Sequence, residues 1–337
     1  MVKIKDVAKE AGVSTATVSR VLSQKPYVTA EVQARVLEAV EKLGYRPNRV
    51  ARSLRAQQSN TIGLIVSDIR NPYFTDVSRA VEDTAYEHGY AVFLCNTDED
   101  PEKEALYLNL LRDENVSGVI LSPTKQTSDD FAAINLNIPT VIVDRTIKHG
   151  DVDTVMIDNL DAGYRLTCHL IENGYRQIGA LFGEASTTGR ERRQGFEKAL
   201  REHDLTPYIM RYLPPHIEAG HEATLAILTA PDRPDAILAT NSLLSAGALE
   251  AVRELQLNIP DDVAVVGFDE TTWSTLVQPA LTVIAQPTHE IGRTAMELVL
   301  KRIEQPDTPA RQVILKGQLL ARGSSAARKP QAVTIPA

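Results

Sequence analysis

Apolar residues recur along this chain in two rhythms, and the change comes near residue 60. Before it the spacing is helical. Ile4, Val7, Ala8 and Ala11 fall at i, i+3, i+4 and i+7, one face of a first helix. Gly12 follows, where a chain needing a positive φ places glycine. Ser14 can cap a second helix, because its hydroxyl can accept an amide two or three residues on. That helix buries Val18, Val21 and Leu22 and turns Thr15, Ala16, Thr17, Ser19 and Arg20 outward. Thr29 can cap a third helix with Val32, Val36, Ala39, Val40 and Leu43 as its stripe, stopped by Gly44. Two short helices around a glycine turn read as a helix-turn-helix, which lays its second helix in a DNA major groove.

After residue 60, short apolar runs alternate with helical stretches. Strands are expected at Ile62–Val66, Ala91–Leu94, Gly118–Leu121, Thr140–Val143, Thr154–Ile157, Gln177–Phe182, Ala236–Ala239, Ala264–Gly267 and Thr282–Ala285. Helical segments such as Val77–His88, Asp161–Asn173, Arg192–His203 and Leu243–Leu255 lie between most of them. This alternation predicts parallel sheets with helices on both faces. Some 260 residues of it exceed one ordinary sheet. The expected fold is thus an all-α helix-turn-helix DNA-binding domain plus an α/β core of two doubly wound parallel-sheet subdomains.

In open α/β sheets, ligands bind beyond the carboxyl ends of the strands. That rule selects Ser67-Asp68, Asn71-Pro-Tyr73-Phe74, Ser122, Asp144-Arg145, Arg190, Arg192, Asn241, Asp269 and Gln286. Tyr73, Phe74 and Trp273 add flat apolar faces. A mostly polar cleft with a few aromatics suits a polyhydroxylated ligand. Arg145 and Arg190 could pair with an anionic one, such as a sugar acid, or could bridge the lobes or face solvent. Asp98-Glu99-Asp100 reads as a solvated turn.

Charge sharpens the division. Residues 1–57 carry 11 Lys and Arg against 5 Asp and Glu, leaving 25 against 39 in the remainder. A basic head on an acidic body is expected when only the head meets DNA. Arg20 can donate two hydrogen bonds to guanine O6 and N7, or can contact phosphate; Thr15 and Ala16 can meet a thymine methyl. The stretch Asn48-Arg49-Val-Ala51-Arg-Ser-Leu54-Arg has helical propensity but is too short to be stable alone.

Lys5-Asp-Val-Ala, Ala11-Gly-Val-Ser, Thr17-Val-Ser-Arg-Val-Leu22, Leu43-Gly-Tyr-Arg-Pro-Asn48, Ala51-Arg-Ser-Leu54 and Thr61-Ile-Gly63 occur in order. In these the chain resembles the lactose-repressor (LacI/GalR) family, and the likeness continues to about Ser324. The resemblance implies a periplasmic-binding-protein-like core with three crossings between lobes, near Asn159, Gln286 and Gly317. The implied boundaries are 1–46 for the DNA-binding domain and 47–59 for a hinge helix and linker. The core would span 60–324, with one subdomain at about 60–158 and 287–316 and the other at about 159–286 and 317–324. A disordered tail, 325–337, would follow.

The same resemblance implies that Asn48, Arg49, Ala51 and Leu54 enter the minor groove as paired hinge helices, with Leu54 as a wedge. It places Arg192, Asn241 and Asp269 on a small-molecule effector, with Tyr73 and Phe74 as the aromatic floor. Where many relatives have Asn-Asp, this chain has Asn241-Ser242. The implied function is a homodimeric transcriptional repressor of carbohydrate or sugar-acid catabolism, responding to a sugar or a sugar acid such as gluconate or ketogluconate. A corepressor-dependent regulator binding a purine or sugar phosphate is the alternative, and a soluble sugar-binding protein a further one. No leucine heptad for tetramers is present.

Catalytic signatures such as G-x-S-x-G, G-x-x-x-x-G-K and G-x-G-x-x-G do not occur, so neither an enzyme nor a cofactor is expected. His221-Glu222 and His289-Glu290 lack the second histidine of a zinc helix. Cys95 and Cys168, each in apolar surroundings, read as reduced core thiols. With no apolar leader and no run approaching 18 apolar residues, a cytoplasmic protein is expected.

Overall fold

The computed structural model describes residues 2–22, 28–45, 59–134, 136–148, 150–183 and 186–328. The chain divides into two units, Met1–Ser59 and Asn60–Ala337. Among the described residues of the first are three helices: α1 (Ile4–Ala11), α2 (Thr15–Leu22) and α3 (Ala30–Lys42). Gly12 has φ +63°, a left-handed turn that a side chain would strain. The Ser14 hydroxyl accepts from the Thr17 amide at 3.1 Å, and Thr29 does the same for Val32 at 3.4 Å. Val7, Val18 and Val36, one from each helix, are fully buried against one another.

The second unit holds twelve strands among the described residues. Sheet one takes β1 (Thr61–Val66), β2 (Ala91–Asn96), β3 (Gly118–Leu121), β4 (Thr140–Val143) and β5 (Asp153–Ile157). Sheet two takes β6 (Ile178–Gly183), β7 (Ile209–Leu213), β8 (Ala236–Ala239), β9 (Ala264–Phe268) and β10 (Thr282–Ala285). β11 (Gln312–Leu315) then returns to sheet one, and β12 (Gln318–Leu320) closes sheet two. The strand orders are β11-β5-β4-β3-β1-β2 and β12-β10-β9-β8-β6-β7, one topology used twice. All pairings are parallel except β10 with β12. Three crossings join the lobes, at Asp158-Asn159, Gln286-Pro287 and Lys316-Gly317.

Helices cover both faces, as hydrophobic strands such as β3, β4 and β8, buried along their whole length, require. They are α4 (Pro72–Glu87), α5 (Pro101–Asp113), α6 (Lys125–Asp129), α7 (Asn159–Glu172), α8 (Thr187–Glu202), α9 (Ile217–Leu228), α10 (Ser242–Glu254) and α11 (Thr288–Glu304). Several begin at the cleft because a side chain there caps them. Asn71, Ser186 and Asn241 accept from Tyr73, Gly189 and Leu244 amides at 3.1, 3.0 and 2.7 Å.

Two sequence expectations need correction. β7, β11 and β12 were absent from the nine expected strands: β7 is interrupted by Arg211, β12 is three residues long, and the short apolar run of β11 was passed over. The tail expected to be disordered from residue 325 is held through Arg328. Ser325 is fully buried, the Tyr175 hydroxyl donates to Ala326 O at 2.7 Å, and Arg328 reaches Asp235 at 2.7 Å. Residues 329–337 lie outside the described residues.

α7 and α8 meet through glycine. A Cβ on Gly163 would fall 2.3 Å from Arg192 O, and one on Gly195 2.1 Å from Leu160 O. Gly163→Ala is therefore expected to cost about 1–3 kcal/mol by forcing the helices apart. Denaturant unfolding measures it, and an unchanged midpoint would refute the close packing.

Candidate functional site

The outer face of α2 is the first site. Thr15, Ala16 and Arg20 are exposed, whereas Thr17 and Ser19 are half-buried. The Thr17 hydroxyl lies 2.9 Å from the Ser14 hydroxyl at the cap, which ties both to the helix start. Val18 and Val21 anchor the opposite side. The exposed groups are a guanidinium, a hydroxyl and a methyl, chemistry that suits guanine and thymine edges. Asn48, Arg49, Ala51 and Leu54, expected in the hinge, lie outside the described residues.

The second site is a cavity between the two sheets, partly open to solvent. Strand ends supply it from both lobes, as the topology rule requires. Ser67, Asp68, Asn71, Tyr73, Phe74, Glu99, Asp144 and Arg145 come from one lobe. Gly183, Ser186, Arg192, Thr240, Asn241, Asp269 and Gln286 are among those on the other side.

Arg192 is the best-held of these groups. It is 5% exposed, and its Nε donates to Asn159 Oδ1 at 2.9 Å. Its Nη1 donates to Thr240 O at 2.5 Å, and the guanidinium lies 4.2 Å from the centre of the Phe268 ring. These contacts fix the planar fork at the cavity wall.

Asp144 and Asp269 occupy equivalent places, just after β4 and β9, the corresponding strands of the two lobes. Both are buried, and both have φ +70°, a left-handed conformation that costs a non-glycine residue about 1–3 kcal/mol. Their amides still pair with the neighbouring strand, Asp144 N to Val155 O at 3.1 Å and Asp269 N to Ile284 O at 2.9 Å. The twist therefore turns each carboxylate without breaking the sheet. Burial pushes both carboxyls above the usual carboxylate range; Arg145 and Arg192 oppose this at Asp144, and Arg192 and Gln286 at Asp269. Gln286 Nε2 donates to Asp269 at 2.6 Å. Tyr73 packs edge-on to Phe74 at 5.0 Å, and its hydroxyl is buried with no hydrogen-bond partner.

Seven of the ten residues expected on the effector line this cavity: Tyr73, Phe74, Arg145, Arg192, Asn241, Asp269 and Gln286. Three do not. Ser122 sits behind the wall, fully buried, with its hydroxyl 2.9 Å from Ser67. Trp273 belongs to a 3-10 turn, Thr272–Thr275, whose cap at Thr271 aims it into a different groove beside Leu257, Ile259 and Val277. Arg190 is half-exposed and lies 4.0 Å from Asp129 on the opposite lobe. The turn at Asp98-Glu99-Asp100 also differs from expectation. Glu99 lines the cavity and binds Arg145 through both carboxylate oxygens. A run of three acids gave no hint that the middle one turns inward.

The fold and its sites define a DNA-binding head followed in the chain by a two-lobed small-molecule-binding core. Residues 59–322 match the family of periplasmic binding proteins and sugar binding domain of LacI family. Residues 3–48 match the bacterial regulatory proteins of the lacI family. The chain is 40% identical over 307 residues to the ribose operon repressor of Halalkalibacterium halodurans, covering 90% of this chain and 91% of that one. It is 37% identical over 317 residues to the HTH-type transcriptional repressor PurR of Haemophilus influenzae, covering 93% and 94%. The structure of the lac repressor dimer bound to operator and the anti-inducer ONPF superposes with a TM-score of 0.86 at 28% identity, covering 97% and 99%. This chain belongs to the lacI family: it is a DNA-binding transcriptional regulator with an effector domain, and not an enzyme.

For the DNA face, Arg20→Ala is expected to weaken binding to an operator selected from random DNA by about 1–3 kcal/mol while sparing non-specific binding. Equal losses on both in a mobility-shift titration would make Arg20 a phosphate contact.

Proposed function

We propose that this protein is a cytoplasmic, homodimeric repressor of a carbohydrate operon, controlled by a neutral sugar of the ribose class in the inter-lobe cavity. The charge arrangement carries this reading. Arg145, the cation that could have selected a sugar acid, is already neutralised by Glu99, and Arg190 stands outside the cavity. What faces the ligand is a set of hydroxyl-matching groups: Asp144, Asp269, Asn241, Gln286, the Arg192 fork and the Tyr73 hydroxyl. Left without a sugar hydroxyl, each such group in a closed cleft carries a desolvation cost. The 40% identity to a ribose operon repressor points the same way. Sugar acids such as gluconate or ketogluconate fit less well, since they would meet four carboxylates and two guanidiniums.

Thr15, Ala16 and Arg20 read base edges in each half of a pseudopalindromic operator, with Ser14, Thr17 and Ser19 shaping the helix that presents them. Asn48, Arg49, Ala51 and Leu54 form the minor-groove hinge. Effector and operator are linked, so each changes the other's affinity by one and the same factor. Interlobe hydrogen bonds give closure a specific geometry: Ser242 Oγ to Asn71 Oδ1 at 3.1 Å, and Thr146 Oγ1 to Glu191 at 3.0 Å.

A thermal-shift series with D-ribose, D-ribonate, ribose 5-phosphate and hypoxanthine tests the class. Saturating D-ribose, at about 100 times its Kd, should stabilise the folded protein by roughly 2.7 kcal/mol. A shift with the acid, the phosphate or the purine alone would overturn the neutral-sugar reading. Tyr73→Phe should weaken ribose binding by about 0.5–1.5 kcal/mol, the net worth of one hydrogen bond. An unchanged Kd for that variant in calorimetry would mean that the Tyr73 hydroxyl does not touch the sugar.

A further inference from the structure

We infer that Glu99 is a specificity-determining residue that bars anionic ligands from the cavity by holding the Arg145 guanidinium occupied. The inference rests on the neutral-sugar reading above and names the group responsible for it. Arg145 is 4% exposed in its side chain and reaches the cavity wall directly after the Asp144 turn. Its Nη1 donates to Glu99 Oε2 at 2.9 Å and to Pro123 O at 2.6 Å, and its Nη2 binds Glu99 Oε1. The Nη1–Nη2 edge of the guanidinium is therefore taken by the protein's own carboxylate, the geometry a ligand carboxylate would otherwise use, and Nε lies 3.4 Å from Asp144 Oδ2. A second acid brought to this corner would meet Glu99 at close range in a water-poor site, where like charges repel strongly.

The backbone marks this placement as unusual. Asp98 and Glu99 have φ +52° and +61°, two consecutive left-handed residues that bear side chains. A turn of that kind favours glycine, and a glutamate there is held against its conformational preference. The neighbouring acids have other tasks, Asp98 pairing with Lys103 at 2.7 Å and Asp100 capping α5 at 2.8 Å. Only Glu99 is turned onto a cavity guanidinium. Burial works against the charge of Arg145, yet the hydrogen bonds and charge of Glu99, joined by those of Asp144, outweigh it and keep the group above its ordinary pKa. Removing Glu99 leaves Asp144 near Nε but strips both Nη groups of their carboxylate, which opens that edge to another counter-ion.

The test uses the full-length protein and two variants, Glu99→Gln and Glu99→Gly. Glutamine keeps the shape, while glycine suits the left-handed backbone and supplies a folded variant should glutamine not. Calorimetric titration with D-ribose and D-ribonate gives the ratio of their Kd values, in which other differences between the two ligands cancel across proteins. In either variant that ratio should move toward the acid by at least about tenfold. A ratio within about twofold of the wild type in a folded variant would overturn the assignment.

Inorganic phosphate separates this inference from the sugar reading. Against a chloride control of matched ionic strength, phosphate should raise the melting midpoint of the variants and leave the wild type unmoved. That result would stand even if D-ribose bound none of the three proteins. Equal phosphate shifts in all three would refute the role of Glu99 by themselves.

Discussion

The core depends on one buried guanidinium. Arg192 binds the first residue of α7 through Asn159, the end of β8 through Thr240 O and the ring of Phe268 at the end of β9. A charge that deep is tolerated only when its hydrogen bonds are met and its counter-charges are close. Asp144 and Asp269 lie close enough to feel it, one from each lobe. The packing reaches back along the chain: Gly163 lets α7 press on the backbone of Arg192 itself. Cavity, crossing and helix contact thus share a single fixed point.

Around it, two copies of one topology face each other. Each lobe turns an aspartate inward by the same left-handed residue at the end of the corresponding strand, Asp144 and Asp269. The ligand site is made of opposed strand ends, so whatever fills it bears on the relation between the lobes. Ser242 uses its hydroxyl to reach Asn71 across the gap. A neutral hydroxyl there joins the lobes and adds no further negative charge to the cavity. The head obeys a different logic. It is a small module with valines at its centre, and its basic surplus serves a polyanion rather than a sugar.

Much of this was legible in the sequence, and the reasons are physical. Continuous apolar runs such as Val-Ile-Leu121 and Val-Ile-Val143 are buried on both faces and show themselves without any partner. Caps at Ser14 and Thr29 are local, so the residues a few places away are enough to find them. Asn241 and Asp269 stand just past strand ends, where the topology rule looks, and Arg192 lies in the helix that follows β6. What stayed hidden is what depends on distant contacts or on a single dihedral. Glu99 is indistinguishable in sequence from its solvated neighbours, and only its φ and a partner 46 residues away reveal it. Trp273 has the right residue type and a nearby position, but a capped turn points it elsewhere. Strands β7 and β12 escape because one is broken by a charged residue and the other is only three residues long.

The cavity is held to recognise a neutral ligand, its Arg145 guanidinium already bound by Glu99. Calorimetric titration of D-ribose into the wild-type protein at low and at high sodium chloride addresses it most directly. Transfer of an uncharged sugar should give a Kd that holds within about twofold across the range, because no net charge is there to screen. A failure of D-ribose to bind, or an affinity that falls severalfold as salt rises, would contradict it.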